Sequence, residues 1–295
     1  PGDITQAPNL GQRPSPVVRG DPAEAGDYVD EWGCTFHNIK AGVNGEVKAP
    51  LISEWSDLES LRIPTEKLEL DVDAVNEWCR TESRFVLGGG WARPFERIQF
   101  LRGTENVLVE LALEDPGLKA LLATLHGFYR RSFEMWAETN VDALVIMDDW
   151  GGQERLLINP AMWREVFKPL YREYAEIARH AGKKLLMHSD GHIFEIYEDL
   201  VEIGVDAINS QLFCMDIEEI GRRFAGRMSF WGEIDRQHVL PHGSVSDVRA
   251  AVDRVAASLY RPAGGVIAQF SWEEHVPLAN AEAVYERWTD IERTT

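Results

Sequence analysis

The 295-residue chain is poor in cysteine, with only Cys34, Cys79 and Cys214, and none of the three stands in a CxxC pair. That scatter argues against a disulfide framework and against a structural zinc knot. Long hydrophobic runs are missing as well: no stretch approaches the roughly 18 to 20 apolar residues that a membrane-spanning helix requires. The opening Pro1-Gly2-Asp3-Ile4 has neither a basic start nor an apolar run leading to a cleavage site, so no secretory signal is read there and a soluble, cytoplasmic protein is expected. Positive charge is scarce. Thirty Lys and Arg face 49 Asp and Glu, a formal net charge of -19, which repels phosphate backbones and anionic membranes and argues against both as partners. The same field disfavours a polyanionic substrate unless a local basic cluster overrides it. What the chain does have is core material, 44% hydrophobic residues with ten tryptophans among them. Its length suits one parallel α/β barrel, which takes about 250 residues or more around a single core.

Residues 1–29 carry Pro1, Pro8, Pro14, Pro16 and Pro22 without apolar periodicity and read as an irregular arm. Tyr28 to Phe36, followed by Asn44-Gly45 between short apolar runs, suggests a hairpin closed by a type I′ turn. From Arg84 onward the pattern changes to strand-then-helix units, which argues for parallel strands joined by crossover helices. Six runs read as buried strands: Phe85 to Leu87, Ala143 to Met147, Lys184 to Met187, Ala207 to Asn209, Met228 to Trp231 and Val266 to Phe270. The clearest helix spans about Pro160 to Ala181, where Trp163, Phe167, Leu170, Tyr171, Tyr174 and Ala178 recur at spacings of three and four. Asn159 is its expected N-cap and Gly182 its stop. Later helices repeat the logic with Ile193, Ile196, Tyr197 and Leu200, with Val252, Val255 and Leu259, and with Val284, Tyr285, Trp288 and Ile291. Six strands do not close an eight-stranded barrel. Either one or two more lie in the first 80 residues, or the first strand precedes Pro1; the second is preferred, with an oligomer contact in place of the segment as the alternative.

In parallel α/β folds the site lies beyond the carboxyl ends of the strands, so the polar residues that end each run carry the functional signal. They are Asp148-Asp149-Trp150-Gly151-Gly152, His188-Ser189-Asp190-Gly191, Asn209-Ser210-Gln211, Gly232-Glu233-Ile234-Asp235 and Gln269-Phe270-Ser271-Trp272. His188 and Asp190, at i and i+2 of an extended segment, point the same way and can share one metal ion or one proton. The bland alternative is that His188 bonds a neighbouring strand end and Asp190 caps the next helix. Of Asp148 and Asp149 at most one points into the mouth, and Asp149 is assigned to it. Glu233 is a candidate ligand or general acid. Gln211, Gln269, Trp150, Trp231, Phe270 and Trp272 are candidate substrate-binding residues, the aromatics forming a flat cavity for a planar ligand if they line the mouth and core if they do not. Cys214 reads as a buried small hydrophobe, while His238 and His242 fall in a surface loop.

At these same residues the chain resembles a known family. Met147-Asp-Asp-Trp-Gly-Gly-Gln-Glu154, Leu157-Ile-Asn-Pro-Ala-Met-Trp-Arg-Glu165, Met187-His-Ser-Asp-Gly191, Ile203-Gly-Val-Asp-Ala-Ile-Asn209, Phe230-Trp-Gly-Glu-Ile-Asp235 and the early Asp30-Glu-Trp-Gly-Cys34 resemble the uroporphyrinogen decarboxylase superfamily, in its branch of cobalamin-linked methyltransferases. The resemblance runs from about Asp30 to Trp288. It implies a (β/α)8 TIM-type barrel over residues 30–295, with the active site in the carboxyl-end funnel; the count of six strands adds the expectation of an N-terminal segment before Pro1. For the methyltransferase branch it further implies a zinc ion and a corrinoid carried by a separate protein. Of the ligands expected there, an His-x-Cys pair and a late Cys, only His188 is matched: Asp190 stands at the first Cys position and the second falls on or near Phe270. The departure leaves an oxygen-richer metal site of His188, Asp190 and Glu154 or Glu233, or no metal.

The function so implied is methyl transfer from a small donor, methoxylated aromatics included, to a corrinoid protein, an O-demethylation chemistry with His188, Asp149 and Glu233 as catalytic groups. The alternatives are a decarboxylase of the same superfamily and a barrel that has lost catalysis and only binds a ligand. The decarboxylase's arginine-rich N-terminal segment is not evident before Asp30.

Overall fold

In the computed structural model, which describes residues 2–42 and 45–294, the chain begins with a strand inside the segment read as an irregular arm. This is β1 (Ile4–Gln6). Three short strands follow, β2 (Gly26–Val29), β3 (Thr35–Asn38) and β4 (Glu46–Val47), then helix α1 (Val72–Thr81), strand β5 (Phe85–Ala92), and helices α2 (Pro94–Arg102), α3 (Thr104–Ala112) and α4 (Pro116–Ala137). With the first residues of β6 (Ala143–Met147) and with Glu176–Lys183 they make one of two compact units. β1 runs parallel to β5 in the register Ile4↔Phe85 to Gln6↔Leu87, and Ala7 continues the ladder by donating to Leu87 O at 2.8 Å. Three residues with one apolar side chain are too short for any periodicity to show, so β5 supplies the template that the sequence alone does not reveal.

β2, β3 and β4 form a separate antiparallel sheet with Tyr28 opposite Phe36 and Phe36 opposite Val47. The turn expected at Asn44 lies outside the described residues, but the link from Asn38 to Glu46 is longer than the two residues of a type I′ hairpin. Asp30-Glu-Trp-Gly-Cys34 is a turn built on the buried Asp30 carboxylate. Its Oδ1 accepts from the backbone N–H of Trp32 (3.0 Å) and Cys34 (2.8 Å), and its Oδ2 is ion-paired with buried Arg97. Gly33 supplies the positive φ of 94° that this turn requires. Asp115 caps α4 by accepting from Gly117 and Leu118, and Phe95, Ile98, Leu101, Leu121, Leu125, Phe133 and Trp136 form the unit's core.

The second unit holds the end of β6, then helix α5 (Pro160–Val166), the first part of α6 (Lys168–His180), β7 (Lys184–Ser189), α7 (Tyr197–Ile203), β8 (Ala207–Ser210), α8 (Ile217–Phe224), β9 (Ser229–Trp231), α9 (Val239–His242), α10 (Val245–Leu259), β10 (Val266–Ile267) and α11 (Leu278–Thr294). Its strands stand in the order of the chain, β6 to β10, and the β7–β8, β8–β9 and β9–β10 pairs are parallel. This is the repeated strand-and-crossover arrangement of an α/β barrel fold. β6 has the bounds expected from its apolar run; the last strand stops at Ile267, so Gln269 to Trp272 belong to the loop that follows.

The expected helix from Pro160 to Ala181 is two helices with Phe167 between them. Pro169 has no N–H for the carbonyl of Glu165 and its ring crowds that carbonyl, so the first helix ends and the second begins with the proline in its opening turn. Asn159 does cap the first, accepting from Ala161 N at 2.8 Å, and Gly182 (φ 70°) ends the second. The apolar faces behave as their spacing predicts, since Ile193, Ile196, Tyr197, Leu200, Val252, Val255 and Leu259 are all buried. Tyr285 departs from the pattern and is exposed. Among the described residues no helix is long and apolar enough to cross a membrane.

Candidate active site

The polar residues that end β6 and β7 divide between the two sides of the chain, as alternation along an extended segment requires. Asp148 and Ser189 turn inward and are wholly buried. Asp148 Oδ2 accepts from Tyr171 OH at 2.6 Å, that phenol accepts from Trp150 Nε1 at 2.9 Å, and Ser189 Oγ accepts from Trp150 N at 2.9 Å. Burial, reinforced by the charge and hydrogen bond of Asp148, holds the Tyr171 phenol protonated far above its usual range. Asp149, His188 and Asp190 take the other side and meet there. His188 Nε2 lies 3.5 Å from Asp149 Oδ1 and 3.7 Å from Asp190 Oδ1. The two loops carrying these acids are joined by backbone: Gly151 N donates to Asp190 O (3.0 Å), His192 N to Gly152 O (2.7 Å), and Asp190 N to Asp149 Oδ1 (2.8 Å). A Cβ on Gly191 would meet Gly151 O at 2.1 Å, so the glycines here serve a close backbone approach.

The tautomer of His188 follows from its neighbour on β8. Asn209 Nδ2 donates to the carbonyl of Trp231 at 2.7 Å, which leaves Asn209 Oδ1 as the acceptor facing His188 Nδ1 at 2.6 Å. Nδ1 therefore carries a hydrogen, and Nε2 presents either a proton or a lone pair to the two aspartates. Burial disfavours the imidazolium, but the hydrogen bond and charge of Asp149, the Asn209 bond and the charge of Asp190 outweigh it and raise His188 to about 9. Two further ionisable groups complete the site. Arg236, in the loop after β9, donates Nη2 to Asp190 Oδ2 at 2.5 Å, and its Nε lies 3.5 Å from Glu233 Oε1. Glu233 is buried; desolvation, with the charge of Asp190, pushes its carboxyl up to about 7 against the opposing pull of Arg236, His188 and Ser271. Both line a cavity of about 240 Å3 together with Gln211, Cys214, Asp235 and His238.

The donor set suits one divalent cation. The ligand atoms of Asp149, His188 and Asp190 all lie within 4.8 Å of one another, and a tetrahedral zinc with bonds of about 2.0–2.2 Å needs donors roughly 3.4 Å apart, close to the two distances measured from His188. One nitrogen and two oxygens form a harder set than a zinc-thiolate centre.

Residues 29–289 match the sequence profile of the family Uroporphyrinogen decarboxylase (URO-D). The chain belongs to this family. Its fold is the family's α/β barrel of the TIM type, (β/α)8. Among solved structures, a methyltransferase from Methanosarcina mazei is similar with a TM-score of 0.63 at 15% sequence identity, covering 88% of this chain and 76% of that one. The apo form of 3-keto-D-glucoside 4-epimerase, YcjR, from E. coli aligns with a TM-score of 0.39 at 15% identity, covering 75% of this chain and 83% of that one. No curated protein sequence gives a significant match.

Within this URO-D chain the residues expected at the site are not all brought together. His188, Asp149 and Asp190 converge, and Glu233 reaches them through Arg236. Glu154 is exposed and stands outside the group of ligand atoms; Asp149 takes the third position. The four aromatics do not form one flat wall. Trp150 is fully buried against Trp163 and Phe167, Trp272 is 60% exposed, and Phe270 packs edge-on to Tyr285. Trp231 enters through its carbonyl on Asn209, and Gln269 accepts from that amide at 2.9 Å. Gln211 lines the cavity and accepts from Gly191 N at 3.0 Å. Cys214, expected to be buried, is half-buried on the same cavity. Asn209 was named among the strand-end polar residues without a role of its own, and Arg236 was not singled out from the sequence. The signal for Arg236 was its place three residues after Glu233, on the same strand-end segment.

Proposed function

We propose that this protein is a methyltransferase-type enzyme that moves a methyl group from a small donor, methoxylated aromatics among the candidates, to a corrinoid on a separate protein. The observation that carries the reading is the convergence of Asp149, His188 and Asp190 beyond the ends of β6 and β7 in a URO-D chain. His188 Nε2 is the group placed to give a proton to the departing oxygen as the methyl–oxygen bond breaks, and Asp149 orients it and favours its charged form. Asn209 keeps the ring from turning by holding Nδ1. If Asp149, His188 and Asp190 instead held a zinc ion, His188 Nε2 would be a ligand and carry no proton, and the ion would supply the polarisation of that same oxygen in its place. That residues 30–295 act as one barrel in the cytoplasm is part of the same proposal.

Mixing the protein with reduced cobalamin and a panel of methoxylated aromatics and simple methyl donors is expected to methylate the corrinoid, read by its absorbance. Asp149→Asn and His188→Gln should each lower the rate by about 100-fold or more while leaving the fold intact by circular dichroism. Elemental analysis of protein purified without chelator is expected to find near-stoichiometric zinc that falls in His188→Ala. One observation favours a second reading, carboxyl loss. Glu233, neutral up to about 7 beside a cavity, could return a proton to a carbanion. No methyl transfer from any donor, together with carbon dioxide release from a carboxylated substrate, would move the assignment there.

A further inference from the structure

We propose that Arg236 sets how tightly the Asp149, His188 and Asp190 group takes a divalent cation, by holding Asp190 with a permanent positive charge of its own; this rests on the metal-assisted reading above. Asp190 stands between two cations of different kinds. Its Oδ1 faces His188 Nε2 at 3.7 Å and its Oδ2 receives Arg236 Nη2 at 2.5 Å. The imidazole can give up its proton to ligate a metal. The guanidinium cannot, because it stays charged at every pH a protein survives. A divalent ion on Asp190 Oδ1 would therefore share one carboxylate with a fixed positive charge.

Two consequences of Arg236 oppose each other. Groups that orient a ligand are generally worth about 10- to 100-fold in metal affinity, and Arg236 does point one oxygen of Asp190 away from His188 and leave the other toward it. Against that, Coulomb repulsion doubles for a divalent ion, and the site is half-buried, so screening is weaker than in water. The backbone decides between them. The backbone of Asp190 is fixed without Arg236, since its N–H donates to Asp149 Oδ1 at 2.8 Å, its carbonyl accepts from Gly151 at 3.0 Å, and the following Gly191 N donates to Gln211 Oε1 at 3.0 Å, so the guanidinium orients only the short side chain beyond Cα. Removing the guanidinium frees the two torsions of one short side chain on a fixed backbone, and it relieves the whole of the repulsion. Arg236 thus acts on the site through its charge, which lowers cation affinity and links the carboxylate of Asp190 to that of Glu233, 3.5 Å from its Nε.

The test titrates zinc into the metal-stripped protein against a chromophoric chelator at one pH and ionic strength, with circular dichroism melts to show that each variant is folded. Arg236→Met, similar in length and uncharged, is expected to bind zinc about tenfold tighter or more than the wild type. Arg236→Lys, which keeps the charge and loses the fork, should stay within about threefold of it. Arg236→Gln replaces the methionine variant if that one does not fold, with the same direction expected. Wild-type zinc binding with an uncharged variant that binds equally or more weakly would overturn the role of Arg236 and leave the metal reading standing. Zinc binding by none of the folded proteins would overturn both.

Discussion

At the scale of single residues, each charged group at the site owes its state to a balance between burial and one or two neighbours. His188 is half-buried and Glu233 buried, and they depart in different ways. Burial works against the charge of His188 and loses to the aspartates; it works against the charge of Glu233 and wins, with Asp190 on its side and Arg236 and His188 opposing. The Glu233 shift has a consequence for stability. Its folded-state value of about 7 is raised above the ordinary 4.5. The contribution is therefore fully present below pH 4.5, declines as pH rises, and is lost above about 7, where the folded protein must carry a buried carboxylate. In chelator-treated protein the urea midpoint should fall across that window in the wild type and stay flatter in Glu233→Gln. Parallel pH profiles for the two proteins would show that the carboxyl is not held neutral. The choice of Asp149 over Asp148 also belongs to this scale. Alternation along the extended chain said only that one of the two faces the mouth; the Trp-Gly-Gly turn after Asp149 was the sequence's reason for assigning it there. The buried partner of Asp148, Tyr171, was not legible.

At the scale of elements, the ends of β6 and β7 are held together by glycine. Gly151 and Gly191 bring two backbones to within a distance that no side chain tolerates, and Gly191 has a φ of 77°. Gly191→Ala should cost about 2–5 kcal/mol, the sum of left-handed backbone strain and overpacking. Gly204 is a matched control, since its φ is 97° and a Cβ there meets nothing within 4 Å. Gly204→Ala should cost only the strain, about 1–2 kcal/mol. Urea denaturation of the two variants separates the terms, and equal losses would refute the close-approach argument. Gly191→Ala should also weaken zinc binding, because Asp190 precedes it. The Trp-Gly-Gly sequence after Asp149 was legible as a tight turn. What the turn packs against was not, because Gly191 lies 40 residues further on in a different loop.

For the molecule as a whole, the formal charge of -19 is the dominant long-range fact. Self-repulsion of like charges opposes the compact state, and the Debye length shrinks from about 30 Å at 0.01 M salt to about 8 Å at 0.15 M. The melting temperature should therefore rise over that range. Exposed pairs such as Arg254–Glu218 and Arg287–Asp253 act in the opposite sense but are each worth only about 0–1 kcal/mol before screening. A melting temperature that falls with added sodium chloride would mean that the pairs, not the net charge, govern stability.

The amino-acid sequence by itself determined the strand-and-helix alternation from Arg84 onward, the place of β6, the cap at Asn159, the shared face of His188 and Asp190, and membership in the family through motifs in a fixed order. These are local properties, set by periodicity of two or 3.6 and by the chemistry of neighbours in the chain. Only the tertiary structure decided that Ile4–Gln6 is a strand, that Trp150 is core while Trp272 is exposed, that Glu154 stays outside the group of ligand atoms, and that Arg236 clasps Asp190. The physical reason is common to all four. Each depends on a ladder, a packing partner or a charge distant in the chain, and folding brings such groups into contact through burial and pairing that no short window of sequence records.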